Sequence, residues 1–127
     1  MKQKFIGTKV IMAEPMTLKE AQKVLGRELK PATAEEDGYL VEYKDGYKSW
    51  SPKSVFEEAY KCAETFLDRL EIELTELSNK QDKLNKFFDT DIFKSLPKQK
   101  KTLLQAQFGA MLAYSQIIVE RIRVEEE

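Results

Sequence analysis

The sequence predicts an α+β protein in which a small N-terminal antiparallel β-sheet with one short helix precedes a long C-terminal antiparallel helical hairpin. Three observations support this class. Residues 1–52 contain β-favouring runs around an Asp-Gly turn. Residues 53–127 contain two long helical repeats separated by a short break. The second repeat carries more apolar side chains than one partner helix can cover, so we expect an oligomer.

Length and composition limit the kind of protein. A chain of 127 residues fits one compact unit, which we divide into a β-rich part, residues 1–52, and a helical part, residues 53–127. The net charge of −1 gives no general attraction to a nucleic acid polymer. Cys62 is the single cysteine, and the longest mostly apolar run, residues 108–119, is too short to span a bilayer. We therefore expect a cytoplasmic protein with no membrane partner.

The N-terminal part begins with a strand and a short helix. A β-favouring run, residues 4–13, predicts a strand that ends before Pro15. Thr17 and Glu20 have the spacing of a capping box, in which each side chain bonds the backbone amide of the other residue. Gly26 is a residue type that commonly ends a helix. A short helix is therefore expected between Thr17 and Gly26.

A β-hairpin follows the short helix. An Asp-Gly dipeptide at 45–46 separates two β-favouring runs, residues 39–44 and 47–50, and this dipeptide favours a two-residue turn. With that turn Val41 lies opposite Trp50. Because side chains alternate along a strand, one face of the hairpin is largely aromatic and needs cover. Its residues are Tyr39, Val41, Tyr43 and Trp50.

Helix-start signals divide the second half of the chain. Ser51 and Pro52 have the residue types of an N-cap and a first helical position. Residues 61–64 interrupt the helical pattern, and Thr65 with Asp68 then forms a fresh capping box. We expect a break at this point, followed by a long helix.

The long helix after Thr65 has a regular apolar seam. Its residues recur at alternating steps of three and four, the spacing of helices that pack side by side. They are Leu67, Leu70, Leu74, Leu77, Gln81, Leu84 and Phe88. Residues 89–96 break the pattern, and Pro97 fits the first turn of a last helix from about Lys98 to Val124. A short connection makes the two long helices antiparallel.

The last helix is apolar on several faces. The side chains concerned are Leu103, Leu104, Phe108, Met111, Leu112, Ile117, Ile118, Val119 and Ile122. Gly109, Ala110 and Ala113 permit a second helix to approach closely. Either another subunit or the β-rich part covers the surplus surface, and we expect another subunit.

The residue types present disfavour catalysis. Histidine, the commonest general base and neutral metal ligand, is absent. The sequence holds no GxGxxG, GxxxxGK or HExxH motif. Cys62 has no evident base to activate it and is expected to be a small packing residue. We therefore predict a protein that is not an enzyme and that has no cofactor and no metal site.

Two groups of cations favour an anionic ligand. Lys98, Lys100 and Lys101 lie at the start of the last helix, where the helix dipole disfavours positive charge. Either a negatively charged ligand binds these lysines and offsets their charge, or they form an ordinary solvated surface. Arg121 and Arg123 form the second group, near the end of the same helix.

The two arginines become candidates for ligand binding when two subunits are placed together. In an antiparallel hairpin Arg121 and Arg123 lie far from Phe87 and Phe88 of the same chain, but the two pairs can meet between subunits. An arginine and an aromatic ring from different subunits suit a phosphate and a base. The structural alternative is that Phe88 ends the seam and the arginines stabilise the helix C-terminus.

Several runs of this sequence resemble small proteins of tailed phages and prophages. In the first half these are FIGTKV at 5–10, AEPMT at 13–17, DGYLVEY at 37–43 and GYKSWSPKSVF at 46–56. In the second half they are AETFLDR at 63–69, Phe87-Phe88, FKSL at 93–96 and AMLAY at 110–114. The second set is similar to phage helical-hairpin proteins that include the first family of Thoeris anti-defence sponges.

This resemblance implies a phage anti-defence protein in the host cytoplasm that binds cyclic nucleotide immune signals and holds them without cleavage. The signals implied are chiefly cyclic ADP-ribose isomers, with cyclic di- or trinucleotides at separate sites. It also implies a homo-oligomer, such as a hexamer, with pockets between subunits. The ligand-binding residues carried over are Phe87, Phe88, Arg121 and Arg123, with Arg27 and Lys48 of the β-rich part as further candidates. The alternative is a non-catalytic phage accessory protein whose hairpin binds a host or virion protein.

Overall fold

A three-stranded antiparallel sheet occupies the first half of the chain and a pair of long helices the second. The computed structural model describes residues 1–31 and 33–127, in two units, Met1–Lys61 and Cys62–Glu127. The first unit contains β1 (Met12–Thr17), α1 (Leu18–Leu25), β2 (Asp37–Glu42), β3 (Lys48–Pro52) and α2 (Lys53–Ala59). The second contains α3 (Phe66–Phe87), α4 (Asp91–Lys94) and α5 (Lys98–Glu126). These elements confirm the α+β class.

The helix that follows the sheet belongs to the first unit. The sequence-based division after Pro52 placed α2 with the hairpin, whereas α2 contacts β2 and β3. Its Phe56 ring stacks on Tyr39 of β2 with ring centroids 4.1 Å apart. None of the helices in the described parts of the chain is long and apolar enough to cross a membrane.

The first strand begins later than the sequence predicts. The expected strand covered residues 4–13 and ended before Pro15, but β1 runs from Met12 to Thr17 and includes Pro15. Because the strand order is β1-β2-β3, β1 is an edge strand, where one side has no neighbour and a proline is tolerated. Residues 4–11 have a β-favouring composition but do not form a strand. Strand propensity measures how well a residue fits into a sheet, so it has no effect without a neighbouring strand.

The β2–β3 hairpin has a three-residue loop and not the expected two-residue turn. Residues 44–46 form the loop, since the Tyr43 N–H donates to the Tyr47 carbonyl at 2.9 Å. The Gly46 N–H donates back to the Tyr43 carbonyl at 2.9 Å, and Gly46 has a φ of 91°. This is the geometry of a turn followed by a left-handed residue, for which glycine has no steric cost.

The longer loop changes which side chains share a face. Trp50 lies opposite Leu40 and not Val41, because a shift of one residue exchanges the two faces of a strand. The expected common face of Tyr39, Val41, Tyr43 and Trp50 is therefore wrong. The Trp50 indole N–H donates to the Met16 carbonyl at 2.7 Å, so its ring crosses the sheet over Gly38.

The short helix α1 has the predicted glycine end but only half of the predicted capping box, because the Glu20 carboxylate accepts the Thr17 hydroxyl at 3.0 Å and not the Thr17 N–H. The Thr17 hydroxyl oxygen accepts the Glu20 N–H at 3.2 Å and satisfies a donor that the first turn leaves free. Gly26 ends the helix with a left-handed φ of 68°. Its N–H donates to the Gln22 carbonyl at 2.9 Å.

The start of α2 differs from the expected Ser51-Pro52 cap. Pro52 itself occupies the N-cap position and offers no side-chain bond, and the helix begins at Lys53. The Glu35 carboxylate, from the loop before β2, instead accepts the Ser54 N–H at 2.9 Å and also bonds the Ser54 hydroxyl. These bonds lower the pKa of Glu35, so the carboxylate stays ionised and ties the loop to the helix.

The helical hairpin confirms the capping box and the seam. The Thr65 hydroxyl accepts the Asp68 N–H at 2.9 Å, while Asp68 accepts the Thr65 N–H at 3.1 Å. Every seam residue of α3 is buried or half-buried, and Leu70 is almost fully enclosed. The Gln81 amide donates to the Ser115 hydroxyl at 3.3 Å, which joins the C-terminal third of α3 to the central part of an antiparallel α5.

An aromatic cluster closes the turn of the hairpin. Thr90 caps the short helix α4 and directs Phe93 inward, where its side chain is buried. The Phe93 ring meets Phe87 and Phe88 edge to face, with centroids 5.8 and 4.9 Å apart. Phe88 also meets Phe108 of α5 at 5.5 Å. Edge-to-face packing of this kind stabilises the connection between the long helices.

Candidate functional site

A groove lies between Phe66, at the start of α3, and the C-terminal half of α5. Its volume is about 690 Å³. The residues that line it from α5 are Ala113, Gln116, Ile117, Glu120, Arg121, Val124 and Glu125. Apolar walls with a few charged groups are typical of sites for small organic ligands. The antiparallel course of the two helices creates the groove, because it brings the first residue of α3 beside the end of α5.

Phe66 presents a partly exposed aromatic ring with two guanidinium groups close to it. Its side chain is 46% exposed. The guanidinium carbons of Arg69 and Arg121 lie 5.9 and 5.7 Å from the ring centroid. At this distance a cation is attracted by the π-face of the ring. The groove therefore combines a ring that can stack with a planar ligand and cations that can bind an anionic one.

Arg121 is the groove cation that lacks an acidic partner. In residues 1–31 and 33–127 the salt bridges are those of Arg123, with Glu120 at 2.9 Å and with Glu127 at 2.7 Å. Arg123 thereby offsets part of the charge of Glu120, while Glu125, the other carboxylate that lines the groove, has no salt bridge among these residues. The Arg121 guanidinium remains available for a phosphate, which it can bind through two parallel hydrogen bonds.

The position of Phe66 is set by the helix cap beside it. Thr65 and Asp68 fix the first turn of α3, so Phe66 is the first helical residue. Hydrogen bonds to the backbone and side chain of Thr65, together with the Cys62 thiol, lower the pKa of the Asp68 carboxyl. Because the ionised form is the better acceptor, the cap that holds Phe66 is complete at neutral pH.

The structure places the predicted residues Phe87 and Phe88 at the opposite end of the hairpin from Arg121 and Arg123. Both rings are half-buried in the aromatic cluster around Phe93. This separation within one chain is what the antiparallel hairpin predicts. Their meeting between subunits stays a prediction.

Arg27 and Lys48 of the first unit do come together. An Arg27 Nη2 donates to the Lys48 carbonyl and to the Tyr47 hydroxyl, each at 3.4 Å. The Arg27 guanidinium also lies 5.9 Å from the Tyr47 ring centroid. These contacts fasten the end of α1 to β3, and a ligand role for the two residues stays a prediction.

The lysines at the start of α5 differ in their surroundings. Lys98 and Lys100 are exposed, whereas Lys101 is half-buried with its Nζ 6.0 Å from the Phe93 ring centroid. Lys101 therefore packs on the aromatic cluster of the hairpin turn. Lys98 and Lys100 lie in solvent, which fits both the solvated surface and the anion site that the sequence allows.

Cys62 does not have the packing role expected of it. The side chain is exposed, and its thiol donates to an Asp68 carboxylate oxygen at 3.6 Å. The residue lies in the break before α3. Among the described residues no group of three or more His, Cys, Asp or Glu side chains is arranged to hold a metal ion.

Sequence reasoning missed Phe66 and Arg69. The signal was present, because Phe66 follows the capping threonine directly and precedes Leu67, the first seam residue. A large apolar residue just outside a seam is a candidate for a surface role. Its proximity to Arg121, however, depends on the register between two helices.

A family model described as Sequestin matches residues 64–124 of this chain. The matched range contains α3, α4, most of α5 and nearly all of the groove. The chain is thus similar to Sequestin over its helical hairpin, and the name denotes a protein that sequesters a ligand. No curated protein and no solved structure gives a significant match to the chain.

Proposed function

We propose that this protein sequesters cyclic nucleotide immune signals, cyclic ADP-ribose isomers first among them, without cleaving them. The observation that carries the proposal is the half-exposed Phe66 ring beside the unpaired Arg121 guanidinium in an open groove. The similarity of residues 64–124 to Sequestin supports sequestration. The resemblance to phage sponges supports the class of ligand and a role in blocking Thoeris or related signalling in the host cytoplasm.

The groove has a chemical counterpart for each part of such a ligand. A base stacks on the exposed part of the Phe66 ring, since stacking on an aromatic side chain tolerates any base. Arg121 binds a phosphate oxygen by charge-assisted hydrogen bonds. Ile117 and Val124 provide an apolar wall for the sugar and base edges. Binding thus draws on aromatic, ionic and apolar contacts together.

The groups in and around the groove support binding without cleavage. Hydrolysis of a phosphodiester or a glycosidic bond needs a positioned base, acid or nucleophile. The chain has no histidine. Of the two carboxylates that line the groove, Glu120 is held by Arg123 at 2.9 Å and Glu125 is exposed. We infer that the bound signal is released intact when the protein is denatured.

The proposal includes a homo-oligomer. The groove is open to solvent, and its wall includes exposed apolar side chains of α5, Ile117 and Val124. A second subunit that covers them encloses the ligand more fully. Enclosure slows release, which is the property a sequestering protein needs, because affinity differences are mostly differences in dissociation rate.

Calorimetric titration of the purified protein with cyclic ADP-ribose isomers and cyclic dinucleotides tests the proposal. We expect a saturable heat with at least one of them. Phe66→Ala should weaken binding about tenfold, since one stacked base contributes roughly 1–3 kcal/mol. Arg121→Ala should weaken it by a similar or larger factor, since a hydrogen bond to a charged group contributes roughly 1.5–3 kcal/mol.

Lys86→Ala is the matched control, because it removes an exposed positive charge at the other end of α3. Its affinity should equal that of the wild type. Loss of binding in Phe88→Leu but not in Phe66→Ala would move the site to the aromatic cluster. Flat titrations with every cyclic nucleotide, from folded protein, would exclude these ligands, and a chemically altered ligand after incubation would indicate an enzyme.

A second function is favoured by the exposed apolar surface of α5, which includes Leu103, Ile117 and Val124. Such a surface also suits a phage accessory protein that docks a host or virion protein through its hairpin. A partner protein retained in stoichiometric amount by the wild type and lost in Ile117→Glu, together with no nucleotide binding, would favour this function.

A further inference from the structure

α5 has two seams, and only one of them is occupied by α3. The inner seam consists of Leu104, Phe108, Met111, Ser115, Ile118 and Ile122, and none of these residues is exposed. A second set recurs with the same alternating steps of three and four, and every member is exposed. We name it the outer seam: Leu103, Ala106, Ala110, Ala113, Ile117, Glu120 and Val124. This spacing is that of a helix that packs along another helix.

The outer seam has the composition of a helix contact. Leu103, Ile117 and Val124 are 64%, 58% and 55% exposed, a large apolar area to leave in water. Between them, Ala106, Ala110 and Ala113 have side chains small enough to let two helix backbones approach. Larger residues at the ends and small ones in the middle allow two copies of the seam to fit each other.

Charge determines the direction in which a second copy fits. α5 begins with Lys98, Lys100 and Lys101 and ends with Glu125 and Glu126, followed by Glu127, which already pairs with Arg123. Each cluster opposes the dipole of its own helix, which disfavours cations at the N-terminus and anions at the C-terminus. An antiparallel copy places lysines beside glutamates at both ends. A parallel copy places like charges together, which is unfavourable.

We propose that a second copy of this chain packs its α5 antiparallel along the outer seam, about a two-fold axis near Ala113. Leu103 then lies opposite Val124 of the partner subunit, and Ala110 lies opposite Ile117 of the partner subunit. The contact is isologous, so each pair occurs twice. This inference specifies the homo-oligomeric part of the proposed function and rests on it.

The second copy also completes the groove. Ala113, Ile117 and Val124 belong to both the outer seam and the groove wall, so the partner helix contacts these residues from the seam side and forms the second wall of the groove. Beside the outer seam runs a row with a seven-residue repeat, Lys100, Gln107, Tyr114 and Arg121. In an antiparallel pair this row and the same row of the partner helix lie on the same side of the helix contact. Gln107 of the partner subunit therefore faces Arg121, and Lys100 of the partner subunit follows nearby, so a phosphate has donors from both chains.

Disulfide trapping in the full chain tests the direction and centre of the pairing. In a Cys62→Ser background, Ala113→Cys lies near the two-fold axis and should form a disulfide-linked dimer under mild oxidation, because the two Cα atoms come within about 7 Å. Ala106→Cys should not, since its counterpart is far along the antiparallel helix. Efficient linkage at both positions would show a parallel pair and overturn the proposal.

Sedimentation of unlinked variants provides the second readout. Wild-type protein should sediment as a dimer or a multiple of it, whereas Ile117→Glu should be shifted to single chains, with circular dichroism confirming that both remain helical. Leu112→Glu changes an exposed apolar residue of α5 outside the outer seam and should sediment like the wild type. A wild-type chain that stays monomeric and gives no linkage at residue 113 would overturn the proposal and leave the outer seam to a foreign protein or to the first unit.

These readouts need no ligand, so their failure is distinct from failure of the proposed function. A trapped antiparallel dimer that gives flat nucleotide titrations supports the pairing and rejects the ligand. A monomer that binds cyclic ADP-ribose isomers supports the ligand and rejects the pairing. If both hold, Gln107→Ala should weaken nucleotide binding while the dimer remains.

Discussion

At the scale of single residues, two arginines show how the immediate neighbours assign a role. Arg121 and Arg123 lie two positions apart on α5, yet Arg123 is paired with Glu120 and Glu127 while Arg121 lies over Phe66. An exposed pair such as that of Arg123 contributes little to stability. Its consequence here is electrostatic, because it occupies Glu120. Within the described part of the chain this leaves the Arg121 guanidinium without a salt bridge, in a groove whose other such charge is Glu125.

Gly38 is predicted to be the most sensitive glycine in the sheet. A Cβ at this position would collide with the Ser51 carbonyl and with the Trp50 ring. Gly38→Ala should therefore destabilise the first unit by roughly 1–3 kcal/mol, the usual cost of overpacking. Urea unfolding followed by fluorescence of Trp50, the single tryptophan, measures this.

Gly7→Ala is the control for that measurement, since a Cβ at Gly7 meets nothing within 4 Å. Its unfolding midpoint should match that of the wild type. Equal midpoints for the two alanine variants would contradict the close approach of Trp50 to β2.

Asp68 is predicted to make the stability of α3 depend on pH. Its pKa is lowered in the folded protein by hydrogen bonds from Thr65, so its contribution is present above the ordinary carboxyl pKa of 3.8. That contribution is lost as pH falls through the lower, folded value. Asp68→Asn should be less stable than the wild type at pH 7, and the gap should narrow in acid.

Denaturant unfolding at a series of pH values, followed by helical circular dichroism, provides the comparison. Asp82→Asn serves as the control, because it removes an exposed carboxylate from the middle of the same helix. A gap for Asp68→Asn that stays constant from neutral to acidic pH would show that its ionisation does not contribute to the cap.

At the scale of elements, the two hairpins differ in how directly the sequence pattern sets their geometry. The helical hairpin follows a seam with a clear period, and every seam residue of α3 is at least half-buried. The β-hairpin depends on whether its loop has two or three residues, which an Asp-Gly dipeptide leaves undecided. One added residue moved Trp50 from Val41 to Leu40 and exchanged the faces of the strand.

Ile118 is predicted to be the most important apolar residue of the helical hairpin. Its side chain is 0% exposed on the inner seam of α5. Ile118→Ala removes buried methyl groups and leaves a cavity, so it should cost roughly 2–5 kcal/mol. Thermal or denaturant unfolding measured by helical circular dichroism gives the value.

Val119→Ala is the matched control, since the adjacent side chain is 49% exposed. Its effect should stay within about 0.5 kcal/mol, as is usual for surface substitutions. Equal losses for the two variants would mean that the inner seam has been assigned to the wrong face of α5.

At the scale of the whole molecule, the two units carry different parts of the chemistry. Met1–Lys61 contains the sheet and the Arg27–Lys48 contact, whereas Cys62–Glu127 contains the groove and both seams of α5. The groove joins residues that are far apart in sequence, Phe66 and Arg121. The outer seam of α5 needs cover that the hairpin of one chain does not supply, because α3 covers the inner seam.

Self-association through the outer seam predicts a thermal stability that depends on protein concentration. Dimer formation stabilises the folded state by mass action, so the melting temperature of the wild type should rise as the protein is concentrated. Differential scanning calorimetry over serial dilutions tests this. Ile117→Glu should melt at one temperature at all concentrations, and the same flat behaviour in the wild type would contradict self-association.

What the sequence alone determined is the set of features governed by neighbours a few residues away. These are the two helix caps at Thr17 and Thr65, the glycine end of α1, the break before α3 and the period of the seam. Each depends on hydrogen bonds or on one helical face within a turn or two, so the residue types suffice. The absence of histidine is likewise a property of the sequence itself.

What only the tertiary structure decided is the set of features that depend on register between distant segments. The register of the β-hairpin, the cap of α2 by Glu35 and the meeting of Phe66 with Arg121 all join residues far apart in the chain. Such pairings follow from loop geometry and from the packing of whole elements, and a shift of one residue alters every contact. For that reason the groove appeared only when the two helices were placed side by side.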